Sequence, residues 1–333
     1  MIHTPVLLKE VVAYLDPQPG ESFIDATFGN GGHALEILKR TAPNGRLLGI
    51  DWDPTSLQKL ELRGAGGSGL DTGSENLTAS EPLTSRRNVG EIRSGIESGP
   101  SADKRLVLVH GNFADIAEIT SKSHFNVAGV LFDFGFSSNQ LEAGGGFSYL
   151  RDEPLDMRFY RSGTSIEEKT AAYIVNGWLE EELEKIFREF GEERNSRKIA
   201  RAIVEERKRR KIKTTGELVE IIDKTYKTNR TYRIKTLSRI FQALRIAVNN
   251  ELENIKKGLE GAWDILKPNG RIVAISFHSL EDRLVKNFFN EKKMIGLGKV
   301  LTRKPVTPSA EEVRENTRAR SAKLRAIVKI SNI

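Results

Sequence analysis

Apolar residues recur along the chain with two different periods, and the change between them marks the predicted elements. Five short aliphatic runs predict strands, and segments with apolar residues three and four positions apart predict helices between them. The five strands are Phe23–Asp25, Arg46–Ile50, Arg105–His110, Val127–Phe132 and Arg271–Phe277. Strands that alternate with helices in this way predict an α/β fold, with a parallel sheet covered on both faces.

The strand signals stop in the middle of the chain. Helical patterns follow one another there, at about 166–176, 179–189, 193–211 and 215–226. We therefore predict an α/β domain formed by residues 1–140 and 237–333, interrupted by an all-helical domain at 141–236. A long amphipathic helix, Leu237–Leu266, is expected to lead back into the α/β domain. Residues 63–104 are rich in Gly, Ser, Thr and Glu without periodicity, which predicts a flexible insertion.

Composition excludes several classes of protein. The 333 residues contain no cysteine and five histidines without an H-x-x-x-H pair, so neither disulfides nor a zinc signature is expected, and we predict no metal. No apolar run approaches the roughly 20 residues that cross a bilayer, and no signal peptide is visible. We therefore expect a cytoplasmic protein without a membrane partner; the oligomeric state is not predicted.

The charge is strongly uneven. The net charge is +7, yet residues 194–213 alone hold ten Lys or Arg and two Glu. A charge run is usually a solvated helix face. Asymmetry of this size in a basic protein nevertheless favours a phosphate-rich partner, namely a nucleic acid.

A glycine-rich turn follows the first strand. Asp25 ends the strand, the turn reads Gly29-Asn30-Gly31-Gly32, and a helical pattern begins at His33. The spacing differs from the G-x-G-x-x-G of dinucleotide enzymes, and no Lys-Ser/Thr pair follows, which counts against a P-loop. Asp51, at the end of the second strand, stands where doubly wound folds hold ribose hydroxyls. A nucleoside without a pyrophosphate, such as S-adenosylmethionine, fits this pattern; a tight turn without a ligand is the structural alternative.

Polar or aromatic residues follow four predicted strands: Asp25, Asp51, Phe113 and Asp133. Ligands of parallel sheets bind outside the carboxyl ends of the strands, so we expect one shared site there. Backbone N–H groups of residues 31–33 can bind a ligand carboxylate, Asp51 the ribose and Phe113 the adenine. The structural alternatives, without ligand binding, are helix capping for His33 and Asp133 and core packing for Phe113. Asp133 lies where a methyl acceptor is expected, and a carboxylate there stabilises the charge that develops on an attacking amine.

These residues belong to longer motifs that resemble a known family. The motifs are His3–Leu7, Asp25–His33, His110–Phe113, Asp133–Ser138, Gly146–Ser148, Pro154–Arg158, Phe241–Arg245, Ser276–Arg283 and Asn316–Ala326. Together they resemble the bacterial small-subunit ribosomal RNA cytosine-N4 methyltransferases, the H-type or MraW family, over nearly the whole chain except 63–104.

The resemblance implies a Rossmann-like S-adenosylmethionine-dependent methyltransferase sheet with an inserted all-helical domain for substrate recognition. It also implies methylation of a cytosine N4 in 16S ribosomal RNA near the decoding centre. By motif position, the residues that bind S-adenosylmethionine are Gly31, Gly32, His33, Asp51, Phe113, Asp133 and Gln140, with Asp133 also catalytic. Asp156, Arg158, Asn195 and His278 are candidates for binding the substrate.

Two departures from the family pattern are visible. The loop after Asp133 reads Phe-Gly-Phe-Ser-Ser-Asn-Gln, where the family usually has an aliphatic residue and then a proline before the glutamine. The 63–104 insertion is also longer than expected. Two alternatives stay open. A DNA N4-cytosine methyltransferase is disfavoured because Asp133-Phe134-Gly135-Phe136 lacks both prolines of the Ser/Asp-Pro-Pro-Tyr motif. A non-catalytic RNA-binding assembly factor is disfavoured because the glycine turn and both carboxylates are intact. Free RNA and the assembled small subunit are not distinguished as substrates.

Overall fold

A computed structural model describes residues 5–53, 92–93, 103–122, 125–135, 144–160, 169–225 and 230–331. By contacts the chain divides into two compact units, one formed by 1–135 and 255–333 and the other by 136–254. No helix in the described ranges has both the length and the apolar character needed to cross a membrane.

The first unit is built on an eight-stranded sheet. Its strands are β1 (Ser22–Asp25), β2 (Leu47–Asp51), β3 (Ile92–Arg93), β4 (Leu106–His110), β5 (Val127–Asp133), β6 (Leu266–Ser276), β7 (Gly298–Val300) and β8 (Lys323–Lys329). They lie in the order β3-β4-β2-β1-β5-β6-β8-β7. The five consecutive strands β4, β2, β1, β5 and β6 are parallel, whereas β3, β7 and β8 pair antiparallel with their neighbours. The predicted α/β fold is therefore confirmed.

Alternation along the strands divides the interior of this unit into two cores. In β5, Val130 and Phe132 enter one core, while Leu131 between them enters the other. Successive strand side chains point to opposite faces, so a strand that is apolar at every position must be covered twice. The helices of this unit are α1 (Leu8–Leu15), α2 (Gly32–Arg40), α3 (Ile116–Ser121), α9 (Glu251–Ile265, mostly in this unit), α10 (Ser279–Met294) and α11 (Ala310–Glu315).

The second unit is helical and has its own core. Its helices are α4 (Ala171–Gly177), α5 (Glu180–Glu189), α6 (Ser196–Arg207), α7 (Thr215–Thr225) and α8 (Arg230–Asn249). Each contributes apolar residues at helical spacing to one cluster, among them Ile174, Phe187, Ile203 and Ile222. Helices α4 to α7 lie close to the four predicted segments, although α6 ends at Arg207 rather than at 211.

The predicted single helix Leu237–Leu266 is wrong. Asn250 adopts a left-handed conformation with φ of 52° and separates α8 from α9. Leu244 and Val248 of α8 belong to the core of the helical unit, whereas Leu259 of α9 belongs to the core beneath the sheet. The contact boundary consequently lies between 254 and 255, not between 236 and 237.

Three other segments differ from expectation or lie outside the described chain. The sequence Lys-Pro-Asn-Gly at 267–270 predicts a turn before the fifth strand. In the structure these residues form an irregularity within β6, where Val127 and Gly129 pair with Leu266 and Arg271. The apolar pattern of residues 4–15 predicts one helix, and in the structure this helix begins at Leu8, after Leu7 at a φ of 54°. Most of the predicted 63–104 insertion lies outside the described residues; Ile92 and Arg93 within it form β3.

Candidate active site

The carboxyl ends of β4, β2, β1 and β5 are consecutive in the sheet. Asp25, Asp51 and Asp133 are the last residues of their strands, and Phe113 follows β4 by three positions. Parallel pairing aligns these ends, with Asp51 opposite His110 and Asp25 opposite Leu131. The sheet therefore brings the four predicted strand-end residues to one edge.

The glycine turn connects β1 to α2. Gly29 and Gly31 have φ of 53° and 75°, which residues with a Cβ rarely adopt. A Cβ on Gly31 would lie 2.8 Å from Cζ of Phe28. Both the backbone conformation and this contact therefore disfavour any residue other than glycine. The N–H of Gly31 donates to the Phe28 carbonyl at 2.8 Å and is already used within the turn. Gly32 begins α2, where backbone N–H groups have no intrahelical acceptor.

Asp51, the last residue of β2, accepts a hydrogen bond from this turn. Its Oδ2 accepts from the N–H of Gly29 at 2.6 Å, and its Oδ1 accepts from the N–H of Asp53 at 2.7 Å. Burial raises the pKa of Asp51 to about 6, and these backbone donors oppose the rise. Each carboxylate oxygen still has a second lone pair, so bonds to further donors are compatible with this geometry.

Among the described residues, carboxylates at this edge outnumber the positively charged groups that act on them. Asp25 is 1% exposed, and burial followed by the nearby Asp51 charge raises its pKa to about 7. Burial also raises the pKa of Asp133 well above its usual value, and the charges of Asp25 and Glu281 add to the rise. Like charges this close in a partly dry site cannot all ionise without cost. The edge consequently carries an excess of negative charge, which a bound cation would stabilise.

Asp133 is held by its backbone, not by its carboxylate. Its N–H donates to Oγ1 of Thr27 at 2.7 Å, a contact that the sequence did not suggest. Among the described residues, its buried Oδ1 has no hydrogen-bond partner, and its Oδ2 lies 3.8 Å from Nδ1 of His33. An orphaned acceptor in a native site calls for an explanation, and a donor on a ligand is one.

Phe113 is part of an aromatic cluster. Its ring centroid lies 5.8 Å from that of Phe132 and 5.8 Å from that of Phe134, in edge-on and tilted arrangements. Gly258 of α9 permits close approach, since a Cβ there would lie 2.7 Å from Cδ2 of Phe113. The ring remains half-buried. Phe113 therefore packs against the core, as its structural alternative predicted, and also presents an apolar surface near the strand ends.

His278 is occupied as a helix cap. It is the N-cap of α10, with Nδ1 accepting from the N–H of Glu281 and Nε2 lying 3.1 Å from Oε1 of Glu281. Oε2 of Glu281 in turn accepts from the N–H of Phe277 at 2.7 Å. The sequence alone did not single out Glu281 as a site residue, although its position three residues after the cap is the spacing of a capping box. It also missed Ser276, whose buried Oγ has no partner in the described chain.

The remaining candidates lie in the helical unit or outside the described residues. Arg158 donates to Asp156 through Nε at 2.7 Å and Nη2 at 3.0 Å, so each holds the other in a planar fork. Asn195 is exposed, and its N–H donates to Oε1 of Glu193 at 2.9 Å. Gln140 lies outside the described residues.

The basic run of the helical unit is divided into two parts. Arg197 and Arg201 are one turn apart on the exposed face of α6, opposite Ile203. After the end of α6 the cations are exposed too, but Lys208 pairs with Glu205 at 3.0 Å and Arg210 pairs with Glu206 at 3.2 Å. The positive field is therefore least neutralised at the N-terminal half of α6.

Comparison with known proteins decides the family. The model of the MraW methylase family matches residues 1–63 and 97–330. The chain belongs to the MraW methylase family. Relatives named ribosomal RNA small subunit methyltransferase H agree with this. Those of Persephonella marina and Thermomicrobium roseum are each 41% identical to this chain, over 98% and 99% of it and 99% and 94% of their own lengths. Among solved structures, TrmN from Thermus thermophilus is 9% identical with a TM-score of 0.40, covering 97% of this chain and 48% of that chain, which is too remote to support an argument.

MraW methylases depend on S-adenosylmethionine, and the strand edge fits that molecule. Its sulfonium is a cation, which matches the carboxylate excess at Asp25, Asp51 and Asp133. The unsatisfied Oδ1 of Asp133 offers an acceptor that no described residue uses. The glycine turn allows a ligand to approach the backbone closely. The half-buried Phe113 ring supplies an apolar surface. The residues present are therefore chemically suited to the methyl donor.

Proposed function

We propose that this protein methylates the exocyclic N4 of a cytosine in 16S ribosomal RNA near the decoding centre, with S-adenosylmethionine as the donor. The observation that carries the proposal is the unbalanced carboxylate group at the strand ends, with its unpartnered Asp133 Oδ1. It occurs in a MraW methylase whose relatives are named for the small-subunit ribosomal RNA. Such a substrate implies a cytoplasmic protein.

The donor would be held by the turn and the neighbouring strand ends. S-adenosylmethionine supplies an electrophilic methyl group on a positively charged sulfur. Gly31, Gly32 and His33 line the start of α2, Asp51 is placed to accept from the ribose, and Phe113 offers its ring to the adenine. Gln140 completes this set by motif position. Since the N–H of Gly31 already donates to Phe28, the carboxylate of the donor would depend on the residues that follow it.

Asp133 acts on the amine that is methylated. An exocyclic base amine is a weak nucleophile because its lone pair is delocalised into the ring. A carboxylate oxygen that accepts its N–H hydrogen bond stabilises the positive charge that develops on nitrogen. Burial raises the pKa of Asp133, which by itself favours the neutral form of the carboxyl group. A cationic donor nearby favours ionisation, so binding would place the acceptor in the charge state that the reaction needs.

The helical unit would bind the RNA. Arg197 and Arg201 present charge on the open face of α6, and RNA phosphates are the matching anions. Asp156, Arg158 and Asn195 of the same unit are proposed to contact the substrate, and so is His278, which belongs to the first unit. The forked pairing of Asp156 with Arg158 leaves a defined polar surface rather than two flexible side chains.

The test is transfer of label from S-adenosylmethionine to isolated small subunits, to their free RNA and to DNA, followed by nucleoside analysis. Label in N4-methylcytosine from subunits or their RNA is the expected result. Cofactor binding without label in any RNA would contradict the proposal. Label confined to DNA would identify a DNA enzyme, and absence of cofactor binding by calorimetry would identify a non-catalytic RNA-binding factor.

A further inference from the structure

His33 is buried in the first turn of α2 between two different partners. Its Nε2 lies 2.9 Å from the carbonyl oxygen of Val6, and its side chain is 7% exposed. A carbonyl oxygen can only accept, so Nε2 must carry a proton and donate it. The neutral ring therefore has its lone pair on Nδ1. This nitrogen faces Oδ2 of Asp133 at 3.8 Å.

The surroundings of Asp133 make this contact important. Asp25 of β1 and Glu281 of α10 are the charged groups that act on it besides His33, and both are acidic. In the described chain, His33 provides the one ion-pair contact to Asp133. The bond from Asp133 N–H to Thr27 fixes the backbone, so the carboxylate can turn without losing its anchor.

We propose that the imidazole of His33 is the proton partner of Asp133: it receives, through that carboxylate, the proton that the substrate amine loses on methylation. The inference rests on the proposed function. The nitrogen–methyl bond forms as the sulfur–methyl bond breaks, and its electron pair leaves with the sulfur. One N–H proton of the amine passes to the Asp133 carboxylate at Oδ1, and after the side chain turns the same proton passes to Nδ1 of His33, giving an imidazolium beside a carboxylate. The proton reaches water after the product departs.

The geometry sets a condition on this transfer. A separation of 3.8 Å is an ion-pair contact, about 1 Å longer than a charge-assisted hydrogen bond. The pair must close by that amount during the reaction, which a rotation of the Asp133 side chain can supply. His33 acts through Asp133 and is accordingly a positioning residue, not a catalytic one.

A structural role for the same imidazole is separable. His33 also holds the N-terminal segment through Val6, and that segment has a second attachment, the bond from the N–H of Leu7 to Oε1 of Glu312 at 2.7 Å. His33→Gln keeps a donor that can reach the Val6 carbonyl but places no titrating nitrogen beside Asp133. Glu312→Ala loosens the same segment and leaves the imidazole intact. The two variants therefore distinguish proton transfer from tethering.

The first measurement needs neither donor nor RNA. Titration of the five histidines of the full chain by ¹⁵N NMR, with His33→Gln assigning the signal, should show His33 as the Nε2–H tautomer at high pH. In Asp133→Asn its titration midpoint should fall by about 1 pH unit, because protonation of the imidazole favours ionisation of Asp133, and Asn cannot supply the charge that would stabilise the imidazolium in return. An unchanged midpoint, or a neutral ring protonated on Nδ1, would overturn the proposal.

The second measurement is single-turnover methylation against pH. We expect His33→Gln, measured at saturating donor, to lose about 100-fold or more in rate, with a flattened pH profile. Glu312→Ala should keep the wild-type profile. A wild-type rate in His33→Gln, or an equal loss in Glu312→Ala, would overturn the inference. If the wild-type protein methylates no RNA, the proposed function fails instead, and the NMR titration still decides whether His33 and Asp133 share a proton.

Discussion

Replacing Asp25 by Asn should make the ligand-free protein more stable at neutral and alkaline pH. The carboxyl group is 1% exposed, and its charge is opposed by burial and by Asp51. Asn keeps the shape of the group and the Oδ1 that accepts from the N–H of Thr27 at 3.2 Å. The substitution therefore removes the charge while it preserves the turn.

The magnitude follows from the shift in pKa. The pKa of Asp25 rises from 3.8 to about 7 on folding. Between these values the folded protein retains a proton that the unfolded chain has released, so the free energy of unfolding falls as the pH rises. At 1.36 kcal/mol per pH unit the ionised carboxylate costs about 4 kcal/mol at about pH 8, and below about 1 kcal/mol near pH 4.

The assay is urea unfolding of the wild type and Asp25→Asn at a series of pH values. The stability difference should open from near zero at about pH 4 and level off above about pH 7. Asp103→Asn is the control, because Arg105 lowers the pKa of Asp103 and its neutralisation should give no gain at high pH. A difference that is independent of pH, or a less stable Asp25→Asn above pH 7, would refute the reasoning about the buried charge.

Three further outcomes are expected. Asp51→Ala should weaken S-adenosylmethionine binding by about 1–3 kcal/mol in calorimetry, since the ribose would lose its acceptor; unchanged affinity would locate the ribose elsewhere. Gly31→Ala should lower the unfolding free energy by about 1–3 kcal/mol, because the residue has φ of 75° and its Cβ would strike Phe28. Charge reversal at Arg197 and Arg201 should weaken RNA binding and flatten its salt dependence. Retained affinity with an unchanged salt slope would make that face merely solvated.

Matched variants isolate the causes. Gly20→Ala has the same problem of backbone conformation, with φ of 83°, but nothing lies within 4 Å of its Cβ. The difference between the two glycine variants is therefore the cost of the contact with Phe28. For RNA binding, Lys208→Glu is the comparison, because Lys208 already pairs with Glu205. It should reduce affinity less than reversal at Arg201.

Much of this architecture can be read from local patterns. The order of strands and helices, and the placement of acidic residues at strand ends, follow from hydrophobic periodicity because burial imposes a period on each element. The break at Asn250 could not be predicted in this way. The apolar face runs on through both α8 and α9, and only the packing shows that Leu244 and Leu259 enter different cores.

The site shows the same division. The chemical types in it, namely the carboxylates, the glycine turn and the histidine, are determined by the sequence, and their donor and substrate roles stay predictions. Their protonation is decided by the tertiary structure, because a pKa depends on which charges and how much water surround a group. Asp25, Asp51 and Asp133 are far apart along the chain but act on one another once β1, β2 and β5 are adjacent. Likewise His33 and Asp133 face each other only after the strand order brings the end of β5 beside the start of α2.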